Sequence, residues 1–112
     1  MEQLVAEKAL DEDCKLCPKF TRTFMILGKK WNGLIIEVLL KNGNMRFKDI
    51  ASSIAKCSDR VLCERLKELE DEQIVIRNTY EGSSWVDYSL TERGQELRPV
   101  MEAVHAWSDK WI

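Results

Sequence analysis

Apolar positions recur at helical spacing over much of the chain. Between about Lys30 and Lys41 they lie three and four residues apart, and this spacing predicts an amphipathic helix. The apolar stripe of that helix consists of Trp31, Leu34, Ile35, Val38 and Leu39. An earlier helix is predicted from Pro18, a residue suited to the first helical turn, to about Gly28. Three later helices are predicted, over about residues 47–54, 58–71 and 91–112.

Two extended segments follow the fourth predicted helix. Residues 74–80 are rich in β-branched side chains, residues 85–90 alternate between apolar and polar, and turn-forming residues separate them, which predicts a β-hairpin. A shorter extended piece is expected at Met45 and Arg46, before the third helix. The order of elements predicts an α+β fold that is mainly α: a winged helix-turn-helix domain with flanking N- and C-terminal dimerisation helices.

Length and composition bound the domain organisation. A chain of 112 residues with 45% hydrophobic content supports one domain, residues 1–112, with an N-terminal extension over 1–16 and a C-terminal dimerisation helix over 91–112. No apolar stretch approaches the ~18 residues of a membrane span, and the first residues lack the pattern of a signal peptide. We therefore expect a cytoplasmic protein with no membrane partner and with reduced cysteines.

The charge of the chain is unevenly distributed. The net charge is −2, but residues 14–90 carry +3 and both ends are acidic. This mildly basic middle contains the whole predicted helix-turn-helix and suggests double-stranded DNA as a partner, because the charge of a patch matters more than the total.

The fourth predicted helix has an apolar face and a polar face. Leu62, Leu66 and Leu69 fall on one side, and the second helix of a helix-turn-helix places its opposite side in the major groove. There Arg60 has the donor fork that matches guanine, and Glu64 can accept from cytosine. An ordinary solvated face is the alternative, and the hairpin that follows favours DNA. The candidate DNA-binding residues are Arg46, Lys48, Lys56, Ser58, Asp59, Arg60, Cys63, Glu64 and Lys67.

The C-terminal helix carries an apolar stripe whose residues are alternately three and four positions apart, the spacing found where two helices pack together. Its members are Leu97, Val100, Val104, Trp107 and Trp111. Such a stripe on a small domain predicts a homodimer interface. The alternative is that the stripe packs on the first and second helices of its own chain. Pro99 is expected to bend this helix.

Cys17 directly precedes Pro18 and so lies near the start of the first helix, between Lys15 and Lys19. The helix dipole and both lysines favour the thiolate, which predicts a reactive thiol. A small buried cysteine is the alternative. Cys14 gives CxxC spacing, but an acidic coil precedes it where a thioredoxin-like enzyme has a strand. A zinc site would need Cys57 and Cys63, whose spacing is unusual for zinc. We predict no cofactor, no metal and no enzymatic activity.

Several of these segments resemble HxlR-type winged helix-turn-helix regulators over about residues 17–111. The block from Gly28 to Ile36 is especially similar to the thiol-based quinone- and diamide-sensing repressors of that family, the YodB/QsrR type. The segments that carry the resemblance are Cys17-Pro18-Lys19, Leu27 to Trp31, Arg46-Phe47, the Leu62…Arg65-Leu66…Leu69-Glu70 spacing, and Tyr88 to Thr91 with Gly94. The chain departs from the family at Ser83-Ser84-Trp85, where members often have a proline-rich wing with a basic residue, and at Asp59 and Cys63.

The resemblance implies a dimeric DNA-binding regulator, usually a repressor, in which a cysteine placed like Cys17 is the redox switch. The hypothesis is a repressor that binds a palindromic operator as a homodimer. Thiol modification of Cys17 by a small electrophile or oxidant, such as a quinone or diamide, would release it, and the redox-sensing candidates are Cys17 and Cys14. The alternatives are a winged-helix protein–protein interaction module and a regulator that answers a non-redox signal.

Overall fold

In a computed structural model of the protein, residues 16–112 are described, and the chain divides into two compact units after Gly33. The first unit contains helix α1, Pro18–Leu27, which begins and ends as the sequence predicts. Pro18 occupies the first turn, where a helix does not use the backbone N–H. The backbone N–H of Gly28 donates to the Phe24 carbonyl at 2.8 Å and closes the last turn.

Helix α2, Asn32–Asn42, begins later than the periodicity predicts. Trp31 has a φ of 81°, a left-handed backbone conformation that cannot belong to the helix. The predicted stripe was also partly wrong, because Leu34 is exposed. The buried face of α2 is formed by Ile35, Ile36, Leu39 and Leu40.

The second unit, Leu34–Ile112, contains the predicted helix-turn-helix. Helix α3, Phe47–Ser53, is followed by a short turn in which the Cys57 N–H donates to the Ile54 carbonyl at 2.9 Å. Helix α4 is Asp59–Asp71, and the Ser58 hydroxyl caps it by accepting from the Val61 N–H at 3.2 Å. The core of this unit includes Ile35, Ile36, Leu39, Ile50, Ile54, Leu62, Leu66, Leu69, Ile74, Val75, Tyr88 and Leu90.

A two-stranded antiparallel hairpin follows α4. Strand β1, Val75–Thr79, pairs with strand β2, Val86–Leu90, so that Val75 faces Leu90 at the base and Thr79 faces Val86 near the turn. Met45 forms an isolated antiparallel bridge with Tyr88, which holds the segment before α3 beside β2. This hairpin is the wing, and the winged helix-turn-helix prediction is confirmed.

The C-terminal segment is broken, whereas one bent helix was expected. Helix α5, Glu92–Gln95, ends before helix α6, Arg98–Trp111, begins. Pro99 lies in the first turn of α6, where its missing N–H costs nothing, so it starts a helix and does not bend one. Gly94 lies so close to β1 that an added Cβ would come within 2.4 Å of the Ile74 carbonyl oxygen. No helix within residues 16–112 has the length and apolar character that crossing a membrane requires.

Candidate nucleic-acid interface

Helix α4 presents one polar face and buries the other. Leu62, Leu66 and Leu69 are 0–1% exposed. The Arg60 side chain is 89% exposed, and its Nε lies 3.4 Å from Glu64 Oε2. Lys67 Nζ lies 3.7 Å from Asp71 Oδ1. Both pairs are exposed to solvent, and the two residues of each pair lie one helical turn apart. Each pair therefore contributes little stability and leaves its cation accessible. The predicted outward stripe of Arg60, Cys63, Glu64 and Lys67 is therefore one continuous exposed face.

The remaining candidates lie around this helix. Ser58 and Asp59 are exposed at its start, Lys56 is exposed in the preceding turn, and Lys48 is exposed on α3. Arg65 behaves differently, because its side chain is only 17% exposed and pairs with Glu64 and Glu68. It lies on the inward half of the helix, next to the leucine face.

Arg46, the last candidate, lies outside the hairpin but contacts the wing. It precedes α3, and its guanidinium carbon lies 4.2 Å from the centre of the Trp85 ring. At this distance a cation is attracted to the face of an indole. Sequence reasoning placed Arg46 beside the helix-turn-helix but did not connect it with Trp85, because 38 residues separate them along the chain.

Asp87 is a functional candidate that the sequence reasoning missed. It is 7% exposed, and its carboxylate accepts four hydrogen bonds at 2.8–3.2 Å. The donors are the side chains of Asn44, Asn78, Tyr80 and Trp85. The bond from Asn78 is the main reason why the pKa of Asp87 is lowered, and the same carboxylate raises the pKa of Tyr80. One sequence signal could have identified Asp87. The alternating pattern of β2 places this acidic side chain on the face of the strand opposite to the side chains of Val86 and Tyr88.

Cys17 is exposed at the N-cap position of α1. The backbone N–H groups of Phe20 and then Lys19 favour the thiolate, the Lys19 ammonium adds to them, and together they lower the pKa of the thiol. Cys57 is buried and donates to the Ser58 carbonyl at 3.6 Å, and Cys63 is exposed on α4. Cys14 lies outside the described residues. Within residues 16–112 no cluster of three metal-ligating side chains is present.

Helix α6 carries most of the predicted apolar stripe on its exposed surface. Val100, Val104, Trp107 and Trp111 are 43–65% exposed. Leu97 differs, since it is half-buried at the N-cap of the helix. His105 forms a close contact with Glu37 on α2, a pairing that the sequence did not suggest.

Comparison with known proteins identifies the family. The HxlR-like helix-turn-helix family matches residues 26–112. The chain belongs to this family. It is 46% identical over 97 residues to the HTH-type transcriptional regulator YodB of Bacillus subtilis (strain 168), and the aligned region covers 86% of each chain. It is a transcriptional regulator of the HxlR type.

Solved structures of two related regulators have the same fold. The quinone-bound YodB from B. subtilis superposes with a TM-score of 0.76 at 46% identity, covering 86% of this chain and all of the other. The redox regulator HypR in its reduced form gives a TM-score of 0.76 at 30% identity, over 82% of this chain and 91% of the other. The predicted YodB/QsrR-type resemblance is confirmed.

Proposed function

We propose that this protein is a homodimeric transcriptional repressor that binds a palindromic operator and releases it when an electrophile or oxidant modifies Cys17. The observation that carries the DNA-binding part is the exposed polar face of α4, which stands opposite a fully buried leucine face. A helix held in this way can enter the major groove without losing core contacts. The guanidinium fork of Arg60 lies near the start of the helix, where residues reach base edges.

The proposed dimer rests on α6. Two tryptophans and two valines form an exposed stripe on one side of this helix, and a helix from a second copy would bury it. Two recognition helices on a two-fold axis would then match two half-sites about one DNA turn, ~34 Å, apart. The half-buried Leu97 lies at the end of the stripe and is the weakest member of the interface.

The sensing part rests on Cys17. Its thiol is exposed and its pKa is lowered, and the thiolate is the form that attacks electrophiles. With a quinone the sulfur adds to the ring, a C–S bond forms, and proton uptake gives the hydroquinone adduct. The quinone-bound structure of YodB supports a ligand of this class.

The deciding experiment measures binding of the protein to a duplex selected from a random-sequence pool. The affinity should fall steeply with salt, because bound phosphates release counterions. Treatment with benzoquinone should abolish binding by the wild type and by Cys63→Ser, whereas Cys17→Ser should bind before and after treatment.

Each other outcome contradicts one part of the proposal. Absence of salt-sensitive duplex binding contradicts DNA recognition and favours a protein–protein interaction module. A wild-type complex that survives the quinone contradicts thiol sensing and favours a non-redox signal. Release of Cys17→Ser but not of Cys63→Ser would move the sensor to the recognition helix.

Sedimentation tests the dimer separately. The double variant Val104→Glu/Trp107→Glu should be monomeric and should bind the selected duplex poorly, although the α4 face is unchanged. Ala106→Glu is the matched control, since it adds a charge on an exposed position of the same helix outside the stripe. A double variant that remains a dimer would place the interface elsewhere.

A further inference from the structure

The turn of the wing has no cation of its own. Residues 80–84 contain one charged side chain, the carboxylate of Glu81, and all of them are exposed. A wing of this composition repels the phosphates that it would approach if α4 entered the major groove. The hairpin has its own exposed cation, Arg77, but that residue lies in the middle of β1. A cation at the turn must therefore come from outside the hairpin.

Arg46 reaches the wing from the segment before α3. The preceding residue, Met45, exchanges two backbone hydrogen bonds with Tyr88, at 2.9 and 2.7 Å. This bridge fixes the backbone of the segment beside β2, and the Arg46 guanidinium lies 4.2 Å from the centre of the Trp85 ring. Within residues 16–112 no carboxylate forms an ion pair with Arg46, whereas Arg60 and Lys67 each have one.

Trp85 is itself held in one orientation. Its indole N–H donates to Asp87 Oδ2 at 3.2 Å, and its backbone N–H donates to the Ser83 hydroxyl at 3.0 Å. The buried carboxylate of Asp87 is fixed in turn by the amides of Asn44 and Asn78. A guanidinium stacked on a fixed ring keeps its N–H donors at its edge, where they can meet an anion.

We propose that Trp85, oriented by Asp87, positions Arg46 as the phosphate-binding cation of the wing. The inference rests on the proposed DNA-binding function. Arg46 is the group that contacts DNA, and Trp85 is a positioning residue that acts through it. The stack orders a long side chain before binding, so less conformational freedom is lost when the phosphate contact forms.

The test measures the salt dependence of binding to a 30-base-pair duplex of mixed sequence, which requires no knowledge of the operator. Arg46→Gln should flatten the slope of log affinity against log salt by about 0.9 per protomer, hence about 1.8 for the proposed dimer. Between roughly 50 and 200 mM salt the wild type should therefore lose about tenfold more affinity than the variant. Arg93→Gln is the matched control, because it removes the same charge beyond the base of the hairpin, away from the turn.

Variants of Trp85 separate positioning from a structural role. Trp85→Leu should weaken binding severalfold, Trp85→Phe should restore most of it because an aromatic face remains, and Trp85→Leu in the Arg46→Gln background should add no further loss. Thermal unfolding of each variant checks that it is folded.

Other outcomes overturn the inference. An unchanged slope for folded Arg46→Gln excludes the phosphate contact. A loss from Trp85→Leu that persists in the Arg46→Gln background shows that Trp85 does not act through Arg46. If the wild type binds no duplex, the proposed function fails as well, so the two failures are distinguishable.

Discussion

The recognition helix and the wing present charge in two different ways. On α4 the contacts are local: Ser58 caps the helix three residues before Val61, and Arg60 pairs with Glu64 one turn away. In the wing, a single carboxylate collects donors from separate parts of the chain, and Asn44 lies 43 residues from Asp87. The exposed face of α4 is therefore determined by helical periodicity, whereas the arrangement of the wing depends on tertiary contacts.

This difference determines what a single substitution removes. The exposed pairs Arg60–Glu64 and Lys67–Asp71 share no residue, and the loss of either leaves the helix packed through its leucines. The wing network has one shared acceptor, so changing Asp87 affects several donors at once. Substitutions on the buried face of α4 should therefore destabilise the helix, whereas the wing should be most sensitive to a change of Asp87.

Leu62→Ala should have the largest effect. Leu62 is 0% exposed, and its truncation leaves a cavity behind the recognition helix. We expect a loss of about 2–5 kcal/mol in the free energy of unfolding, measured by urea denaturation. Cys63→Ala, the exposed neighbour, is the control and should change stability by less than about 0.5 kcal/mol. Equal effects of the two variants would show that α4 is not held by its leucine face.

Arg60→Ala should have the next largest effect, on binding and not on stability. Loss of a bidentate base contact should cost about 1–3 kcal/mol per half-site on the selected duplex, and little on mixed-sequence DNA. Lys67→Ala should weaken binding to both duplexes similarly and flatten the salt slope. If the anisotropy titrations give Arg60→Ala the wild-type affinity for the selected duplex, α4 does not dock with Arg60 at a base edge.

The sequence predicted the fold and the α4 face because both depend on local signals. Pro18, Ser58 and the leucine spacing of α4 are each interpreted within a few residues, and the structure confirms the helix boundaries that they predict. The left-handed Trp31 and the break before α6 were missed, because tertiary packing decides whether a short backbone irregularity is tolerated.

The wing network was missed for a related reason. An aspartate in a strand is ordinarily a solvent-facing residue, and nothing near it in the sequence identifies Asn44 or Arg46 as neighbours. The Met45–Tyr88 bridge brings Asn44 and Arg46 to the hairpin. The sequence predicted an extended piece at Met45 and Arg46, but it did not indicate which strand this piece would lie beside.

Asp87→Asn tests this network and should have the smallest effect of the three. Two donors reach each carboxylate oxygen, so an amide that replaces one oxygen by NH₂ leaves two donors without an acceptor. We expect a fall of several degrees in Tm, smaller than for Leu62→Ala. Glu81→Gln, which removes an exposed carboxylate from the same wing, should leave Tm nearly unchanged.

The pH dependence of the Tm difference between the wild type and Asp87→Asn shows whether the charged carboxylate causes it. The pKa of Asp87 is lowered in the folded protein, so the unfolded chain takes up the proton first, near its usual pKa of about 3.9, as the pH falls. The stability that the carboxylate contributes is complete above that pH and is lost as the pH falls through the folded pKa. Asp87→Asn has no such titration, and the gap in Tm between wild type and variant should narrow below about pH 4. A gap that stays constant from neutral to acidic pH would mean that the four hydrogen bonds do not favour the charged carboxylate, and that Asp87 orients Trp85 by shape alone.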